Sequence, residues 1–404
     1  MKDKSPVYLV MVTTNNNNKY YRMIPHGDTF EVEYGRVGAS CQHASYSMSQ
    51  WNKKYNEKIK KGYVDQTHLV QDLIQKEKPK GKDGYKEIEN KVIAEIVQRL
   101  QDMAHQKIQA NYKVSSQQVT QAMVDEAQKV IDKLMQREEV EDFNNTLLEL
   151  FSVIPRKMGN VNDYLSRSKE DFARILKDEQ DLLDVMRGQV VTHTVQDEPD
   201  TDDVEEKQET ILEAMGLEFE ETTEEDVRMI KSLLGDCRDK FYRSWRVKNI
   251  KTQKRFDEFV NKEHISKTKL LWHGSRNENW WSIINTGLVL RPTNAVITGK
   301  MFGYGIYYAP KARKSLGYTS ISGSYWARGN SSSAFMALMD VAYGKPYDVH
   351  SFDSKYYDFN YERLQKTCPG ANCLHAHAGS MLRNDEIIVY KEDQCTIKYL
   401  VELR

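Results

Sequence analysis

The residue types best suited to chemistry fall in four short runs in the last third of the chain. Leu271-Trp272-His273-Gly274-Ser275-Arg276 puts an imidazole and a hydroxyl on alternate positions of a strand-like run, so both point to one side. Gly274, between them, has no side chain, and its backbone N–H and C=O can come close to a bound group. Next come Gly303-Tyr304-Gly305-Ile306-Tyr307-Tyr308-Ala309 and Lys314-Ser315-Leu316-Gly317-Tyr318, with flat faces at Tyr307 and Tyr318 and a hydroxyl at Ser315. Asn384-Asp385-Glu386-Ile387-Ile388-Val389-Tyr390 then sets a carboxylate at the head of an apolar run. Such a set can grip a flat polar ligand and hold one carboxylate against a centre that develops positive charge. Each run alone has a plainer reading: a common His-Gly-Ser, turn glycines at Gly303 and Gly305, a solvated charge at Glu386. Their joint occurrence, in this order, favours a site.

In that order the runs resemble the catalytic domain of the poly(ADP-ribose) polymerases, the His-Tyr-Glu class of ADP-ribosyltransferases, over roughly residues 260–404. The resemblance implies that NAD is a substrate, that its nicotinamide–ribose bond breaks, and that ADP-ribose passes to an acceptor. Nicotinamide leaves neutral from a cationic nitrogen, so the barrier lies in the oxocarbenium ion and in orienting the acceptor. Residue by residue, Gly274 and Ser315 would take the carboxamide, Tyr318 would stack on the pyridine ring, and Tyr307 would form the opposite wall. His273 and Ser275 would bond the adenine-side ribose, and Asn279 stands where the family places an adenosine contact. Glu386 would bond the 2-hydroxyl of the nicotinamide ribose, completing the catalytic set with His273 and Tyr307. The loop Gly287-Leu288-Val289-Leu290-Arg291-Pro292 departs from the family pattern.

Stepwise along the chain, residues 7–63 read as a small β-rich module with one helix. Val7–Val12 and Tyr20–Ile24 are strands, Asn15–Asn18 and His26-Gly27-Asp28 are turns, and Phe30–Tyr34 alternates apolar with acidic. Met48, Trp51, Tyr55 and Ile59 recur at helical spacing, with lysines mostly off that stripe. Tyr34-Gly35-Arg36-Val37-Gly38 resembles the signature of the WGR domain, with Tyr in place of Trp. That resemblance implies contact with DNA at breaks, through an aromatic face at Tyr34 and phosphate pairing by Arg36 beside Gly35.

Residues 76–84 read as a linker, after which the period becomes 3.6. One helix shows Ile88, Val92, Ile96, Leu100 and Met103, and Ser115 with Gln118 forms a capping pattern before Val119, Met123, Val130, Ile131 and Leu134. A third helix carries Phe143, Leu147, Leu150 and Phe151 and stops at Ile154-Pro155. A fourth, capped by Ser168 with Asp171, carries Ile175, Leu176, Leu182, Leu183 and Met186 and ends at Gly188. This bundle resembles the family's helical regulatory domain, notably at Phe151-Ser152-Val153-Ile154-Pro155. Asp197–Glu206 is acidic and reads as a solvated linker. The expected class is therefore α+β and multidomain: a WGR-like module over 1–75, an all-α bundle over 85–190 and a mixed α/β catalytic domain over 205–404.

The net charge of −1 hides an asymmetry: residues 1–63 hold ten Lys/Arg against five Asp/Glu, and residues 196–226 hold fifteen Asp/Glu against one Lys. A basic module suits an anionic partner, nucleic acid first. Five cysteines fit a reduced compartment, and the short run Val7–Val12 is too brief for a signal segment. The expected location is intracellular and off the membrane: the nucleus in a eukaryote, the cytoplasm or nucleoid in a bacterium. Cys368, Cys373, His375 and His377 lie within ten residues and are types zinc accepts. Their spacing matches no common zinc module, so a polar loop leading to the Glu386 strand is expected, with no metal. The combined expectation is a DNA-break-activated polymerase that modifies protein acceptors, itself included. Its rivals are a transferase that stops after one ADP-ribose and an inactive DNA-end-binding scaffold.

Overall fold

The computed structural model describes residues 4–70, 86–111, 119–196, 209–290, 301–321, 323–324, 327–328, 331–380 and 382–404. The linker at 76–84, the Ser115–Gln118 pattern, the Asp197–Glu206 stretch and the Arg291-Pro292 end of the departing loop lie outside the described residues. The chain divides into two compact units, Met1–Lys82 with His105–His193 and Asp83–Ala104 with Thr194–Arg404.

In the first unit β1 (Val7–Thr13), β2 (Asn17–His26), β3 (Thr29–Arg36), β4 (Gln42–Ser47) and β5 (Val64–Asp65) form one antiparallel sheet ordered β4-β3-β2-β1-β5. The alternation in β3 does what the pattern predicts: Phe30 and Val32 are buried with Leu9, Tyr21 and Met23. They pack with Trp51 of α1 (Trp51–Lys60), whereas Ile59 at its far end is exposed, so the apolar stripe loses its grip in the last turn. Strand β4, not among the expected strands, alternates only weakly, with Ala44 and Tyr46 packed on the core between polar residues; it pairs at the sheet edge, where only one neighbour is needed.

Four longer helices follow: α2 (Lys91–Asn111), α3 (Gln121–Leu134), α4 (Val140–Val153) and α5 (Phe172–Gln196). The division between units falls within α2. Its buried stripe is Ile93, Ile96, Val97, Leu100, Ala104 and Ile108, so Val92 and Met103 flank the face and Ile88 precedes the helix. Helix α3 is capped by Thr120, whose hydroxyl accepts from the Met123 N–H. Helix α4 ends at Val153, just ahead of Ile154-Pro155, as the proline requires. The expected start and end of α5 both need correction. Ser168 makes no side-chain cap; instead Asp171 Oδ2 accepts from the Arg167 N–H at 2.9 Å. Gly188 does not stop the helix, which runs on to Gln196. Burial of Val185, Met186 and Val190 around that glycine outweighs a propensity penalty of about 1 kcal/mol.

The second unit holds α6 (Ile211–Ala214), β6 (Leu217–Glu221), α7 (Glu224–Leu234), β7 (Phe241–Asn249), α8 (Ile250–Lys262), β8 (Lys269–Gly274), α9 (Trp280–Thr286), β9 (Ile306–Tyr308) and α10 (Ala312–Leu316). It continues with β10 (Gly323–Ser324), β11 (Ala327–Arg328), β12 (Ala334–Val341), β13 (Pro346–Val349), α11 (Tyr361–Thr367), β14 (Cys373–Ala376), β15 (Glu386–Val389) and β16 (Cys395–Leu403). Two main sheets result, ordered β6-β7-β16-β12-β8 and β13-β14-β15-β9. Nearly every residue of β12 is buried, as expected of a strand covered on both faces. At the sheet junction Trp272 and Ala309 exchange backbone hydrogen bonds, at 2.9 and 3.0 Å, and this fixes β8 beside the end of β9.

Candidate active site

That junction brings three of the four runs together, and β15 delivers the last. Tyr307 and Ile388 are register partners across β9 and β15, and Glu386 begins β15. His273 sits near the end of β8, its Nδ1 3.1 Å from the Tyr307 carbonyl. Read as a donor to that carbonyl, Nδ1 carries the proton, which makes Nε2 the acceptor nitrogen. Its ring packs edge-on against Tyr308, with centroids 5.9 Å apart, and Trp280, at 6.4 Å.

Gly274 has a second reason to be glycine. A Cβ there would lie 2.0 Å from the Ser315 carbonyl oxygen, so the bare backbone lets α10 approach β8. Ser315 is buried and its hydroxyl donates to the Trp272 carbonyl at 3.0 Å, which locks the start of the Lys314–Tyr318 segment to the strand. Gly303, at φ +72°, and Gly305 act likewise: a Cβ on either would meet the Phe359 backbone or the Ile388 side chain near 2 Å. Between them the chain is pressed tightly enough for Tyr307 to fold back, its hydroxyl donating to the Gly303 carbonyl and accepting from the Phe302 N–H. Burial, with the Glu386 carboxylate nearby, pushes the Tyr307 phenol well above its ordinary range, so it remains a neutral wall.

One member escaped the sequence reading. Lys314 Nζ lies 2.6 Å from Glu386 Oε1, with the carboxylate side chain 10% exposed and the lysine 24%. Burial pulls the ammonium down, but Glu386 outweighs it and the net shift is upward, so Lys314 stays an ammonium. The residue before a noted serine carries no pattern of its own, and only the fold reveals its partner. Ser275 Oγ accepts from Asn279 Nδ2 at 3.0 Å, while the buried Asn279 Oδ1 finds no partner among the described residues. Tyr318, by contrast, is half exposed. An orphaned buried acceptor and an open aromatic face fit a substrate with ribose hydroxyls and a flat ring.

Known proteins point the same way. The family model of the poly(ADP-ribose) polymerase catalytic domain matches residues 224–404, and that of the WGR domain matches 5–70. "Putative poly [ADP-ribose] polymerase-like 100L" of Invertebrate iridescent virus 6 is 31% identical over 190 residues, 46% of this chain and 97% of that protein. "Uncharacterized protein 101L" of the same virus is 35% identical over 186 residues, 45% of this chain and 76% of that protein. Poly [ADP-ribose] polymerase 1 of Gallus gallus is 24% identical over 319 residues, 72% of this chain but 30% of its own length. The chain belongs to the poly(ADP-ribose) polymerase family.

As a member of the poly(ADP-ribose) polymerases it carries their catalytic domain, whose substrate is NAD, together with a WGR domain, a module suited to nucleic acid. Within the WGR match, Tyr34 stands on β3 with its ring 5.9 Å from that of Tyr21, and Lys58 Nζ lies 5.7 Å from the Tyr34 ring. Gly35 admits the Ser40 carbonyl, 3.3 Å from where a Cβ would be. Arg36 is heavily engaged: it donates to the Asn16 backbone and side-chain oxygens and to the carbonyls of Met158 and Gly159, at 2.7–3.1 Å. These bonds stitch β3 to the loop after α4. Among the described residues no helix is long and apolar enough to cross a membrane.

The cysteines and histidines near residue 370 separate. Cys373 is buried and donates to the Tyr343 carbonyl, and burial pushes its thiol up to about 12, away from the thiolate a metal needs. Cys368 caps the end of α11. His375 and His377 stack, with centroids 3.9 Å apart, between Asp348 and Asp385. Burial lowers His375, so its imidazole stays neutral.

Proposed function

We propose that this chain is a DNA-end-activated poly(ADP-ribose) polymerase that cleaves NAD and passes ADP-ribose to protein side chains and to a growing polymer, its own chain included. The observation behind the transferase step is the Lys314–Glu386 ion pair beside Tyr307 and the strand-held His273. Lys314 holds one carboxylate oxygen at 2.6 Å and orients the group. The other oxygen can accept from the 2-hydroxyl of the nicotinamide ribose and, as the C–N bond lengthens, stabilise the positive charge that develops. Tyr318 and Tyr307 supply faces for the departing ring, and His273 with Ser275 anchors the far ribose. Once nicotinamide leaves as a neutral molecule, an acceptor hydroxyl oriented by Glu386 forms the new bond to the ribose carbon that nicotinamide left and passes its proton to the Glu386 carboxylate, which releases it to solvent.

Support for DNA activation is the WGR match together with the basic charge of residues 1–63. Strand ends would meet Tyr34 and the lysines of α1, and phosphate would compete for Arg36 with the carbonyls it now binds. The deciding experiment measures labelled NAD turnover and product length, with and without blunt DNA ends, for the wild type and Glu386→Gln. Turnover should rise with DNA, with products smearing on a gel. The amide variant should lose chain growth by about 100-fold or more while still binding a nicotinamide mimic. A product stopping at one unit would favour the mono-transferase, and a wild type that leaves NAD intact would point to a scaffold.

A further inference from the structure

The catalytic domain also brings together a side-chain cluster that ADP-ribosyl transfer does not use. Asp348 on β13 and His375 on β14 are parallel register partners, and His377 follows β14, its backbone N–H bonded to the Val349 carbonyl at 2.9 Å. Asp348, His375 and His377 each present one ligand atom, all within 4.8 Å of one another. Asp348 Oδ1 lies 2.7 Å from His377 Nε2 and 3.8 Å from His375 Nδ1. On the opposite side Asp385 Oδ2 lies 2.9 Å from His375 Nε2 and 3.9 Å from His377 Nδ1.

We propose that Asp348, His375 and His377 form a binding site for a divalent transition metal of the zinc class, with Asp385 as the outer carboxylate that orients the two imidazoles. Two imidazoles and one carboxylate are a donor set for zinc or ferrous iron, whereas calcium and magnesium prefer oxygen throughout. His375 already has the required tautomer. His375 Nε2–H donates to Asp385, which leaves the Nδ1 lone pair toward Asp348, where it now accepts from the Tyr343 hydroxyl at 2.9 Å. A carboxylate on the far nitrogen of a ligating histidine is the usual support of such sites. Asp385 is itself held by the Ala378 N–H at 2.9 Å.

A metal at ordinary bond lengths would set its ligand atoms about 3.3 Å apart. The 2.7 Å contact therefore opens slightly and the longer ones close by under about 1.5 Å. Asp348 is half exposed and His377 28% exposed, so both can adjust. On binding, the His377 proton passes by way of solvent from Nε2 to Nδ1, which faces Asp385 Oδ2 at 3.9 Å, and Tyr343 leaves His375 Nδ1; a water completes the coordination. Asp348 and Asp385 flank the imidazoles, with Lys269 and Lys267 gathered on the Tyr343 side. The site lies one residue from the catalytic strand, since Asp385 directly precedes Glu386 and Ala376 pairs with it.

Calorimetric titration of the full chain with zinc, in a non-chelating buffer, tests this. Cobalt spectra and X-ray absorption identify the ligands. The wild type should bind one zinc through two imidazoles, and Asp348→Asn and His377→Gln, both at solvent-reached positions, should each weaken it at least tenfold. Asp385→Asn should weaken it by about 10- to 100-fold, and Cys368→Ser should leave it unchanged. A wild type without micromolar zinc binding would overturn the proposal. So would variants with folded circular-dichroism spectra and wild-type affinity, or loss of zinc with Cys368→Ser alone.

Discussion

At the scale of single residues, the site depends on contacts made by groups other than the recognisable triad. Lys314 decides where the Glu386 carboxylate points, because their 2.6 Å ion pair is mostly shielded from water. Lys314→Met keeps the aliphatic stem and removes the charge. Steady-state kinetics should then show kcat lower by about 10- to 100-fold, the range expected when a reacting group loses its orientation. Binding of a nicotinamide mimic, measured by fluorescence, should change little; if kcat stays at the wild-type value, the pair is only structural. Gly274 gives a different readout. Gly274→Ala would drive a methyl into the Ser315 carbonyl, 2.0 Å away, and the collision involves backbone, which cannot turn aside. We expect a stability loss of about 1–3 kcal/mol by thermal melting and a rise in KM for NAD, since the Ser315–Tyr318 wall must shift.

At the scale of elements, the second unit contains a helix cap that doubles as an ion pair. Thr223 and Asp226 form a reciprocal capping box on α7, and Asp226 also accepts from Arg246 of β7 and from the Tyr399 hydroxyl of β16. Burial pushes the Asp226 carboxyl up, but the bonds from Arg246 and Thr223 outweigh it and bring it to about 2. A folded value below the ordinary 3.8 means this stability is complete above about pH 4 and is lost as pH falls toward 2. Discounted for the solvent around Arg246, its size is about 1–2 kcal/mol. Denaturant melts of Asp226→Asn should show a flatter stability profile than wild type between pH 4 and pH 2. Parallel profiles would mean other carboxylates dominate acid unfolding.

At the scale of the whole molecule, each compact unit is built from two stretches of the chain. The first part of α2 belongs with the catalytic sheet, where Arg99 makes a two-pronged pair with the fully buried Glu402 of β16. The remaining helices belong with the WGR sheet, tied by Arg36 and by Asn18, whose amide donates to the Arg156 carbonyl at 2.8 Å. Arg156 then pairs through both terminal nitrogens with Glu179 on α5, at 2.7 Å, in a buried setting. If DNA acts on turnover by loosening these helices, Glu179→Ala should mimic it, leaving Arg156 buried without its carboxylate at a cost of about 3–5 kcal/mol. The expected outcome is higher NAD turnover without DNA and a smaller DNA response. A variant that melts earlier yet still needs DNA as the wild type does would exclude the helices as the restraint.

The sequence by itself determined what rests on local chemistry. Alternation in Phe30–Tyr34, the stop at Pro155 and the apolar faces of α3 and α4 follow from period and backbone restriction, which act over a few residues. The four runs around His273, Tyr307, Ser315 and Glu386 were legible because their types are unusual together. Gly188 was misread because glycine's local cost was overruled by burial that only the packed helix supplies. The tertiary structure alone decided the partners. Lys314 meets Glu386, Arg36 meets Gly159, and Asp348 meets His375 and His377. In each case the two groups are far apart in the chain, and which strand lies beside which depends on burying the sheets' shared core, a quantity no short window of sequence contains.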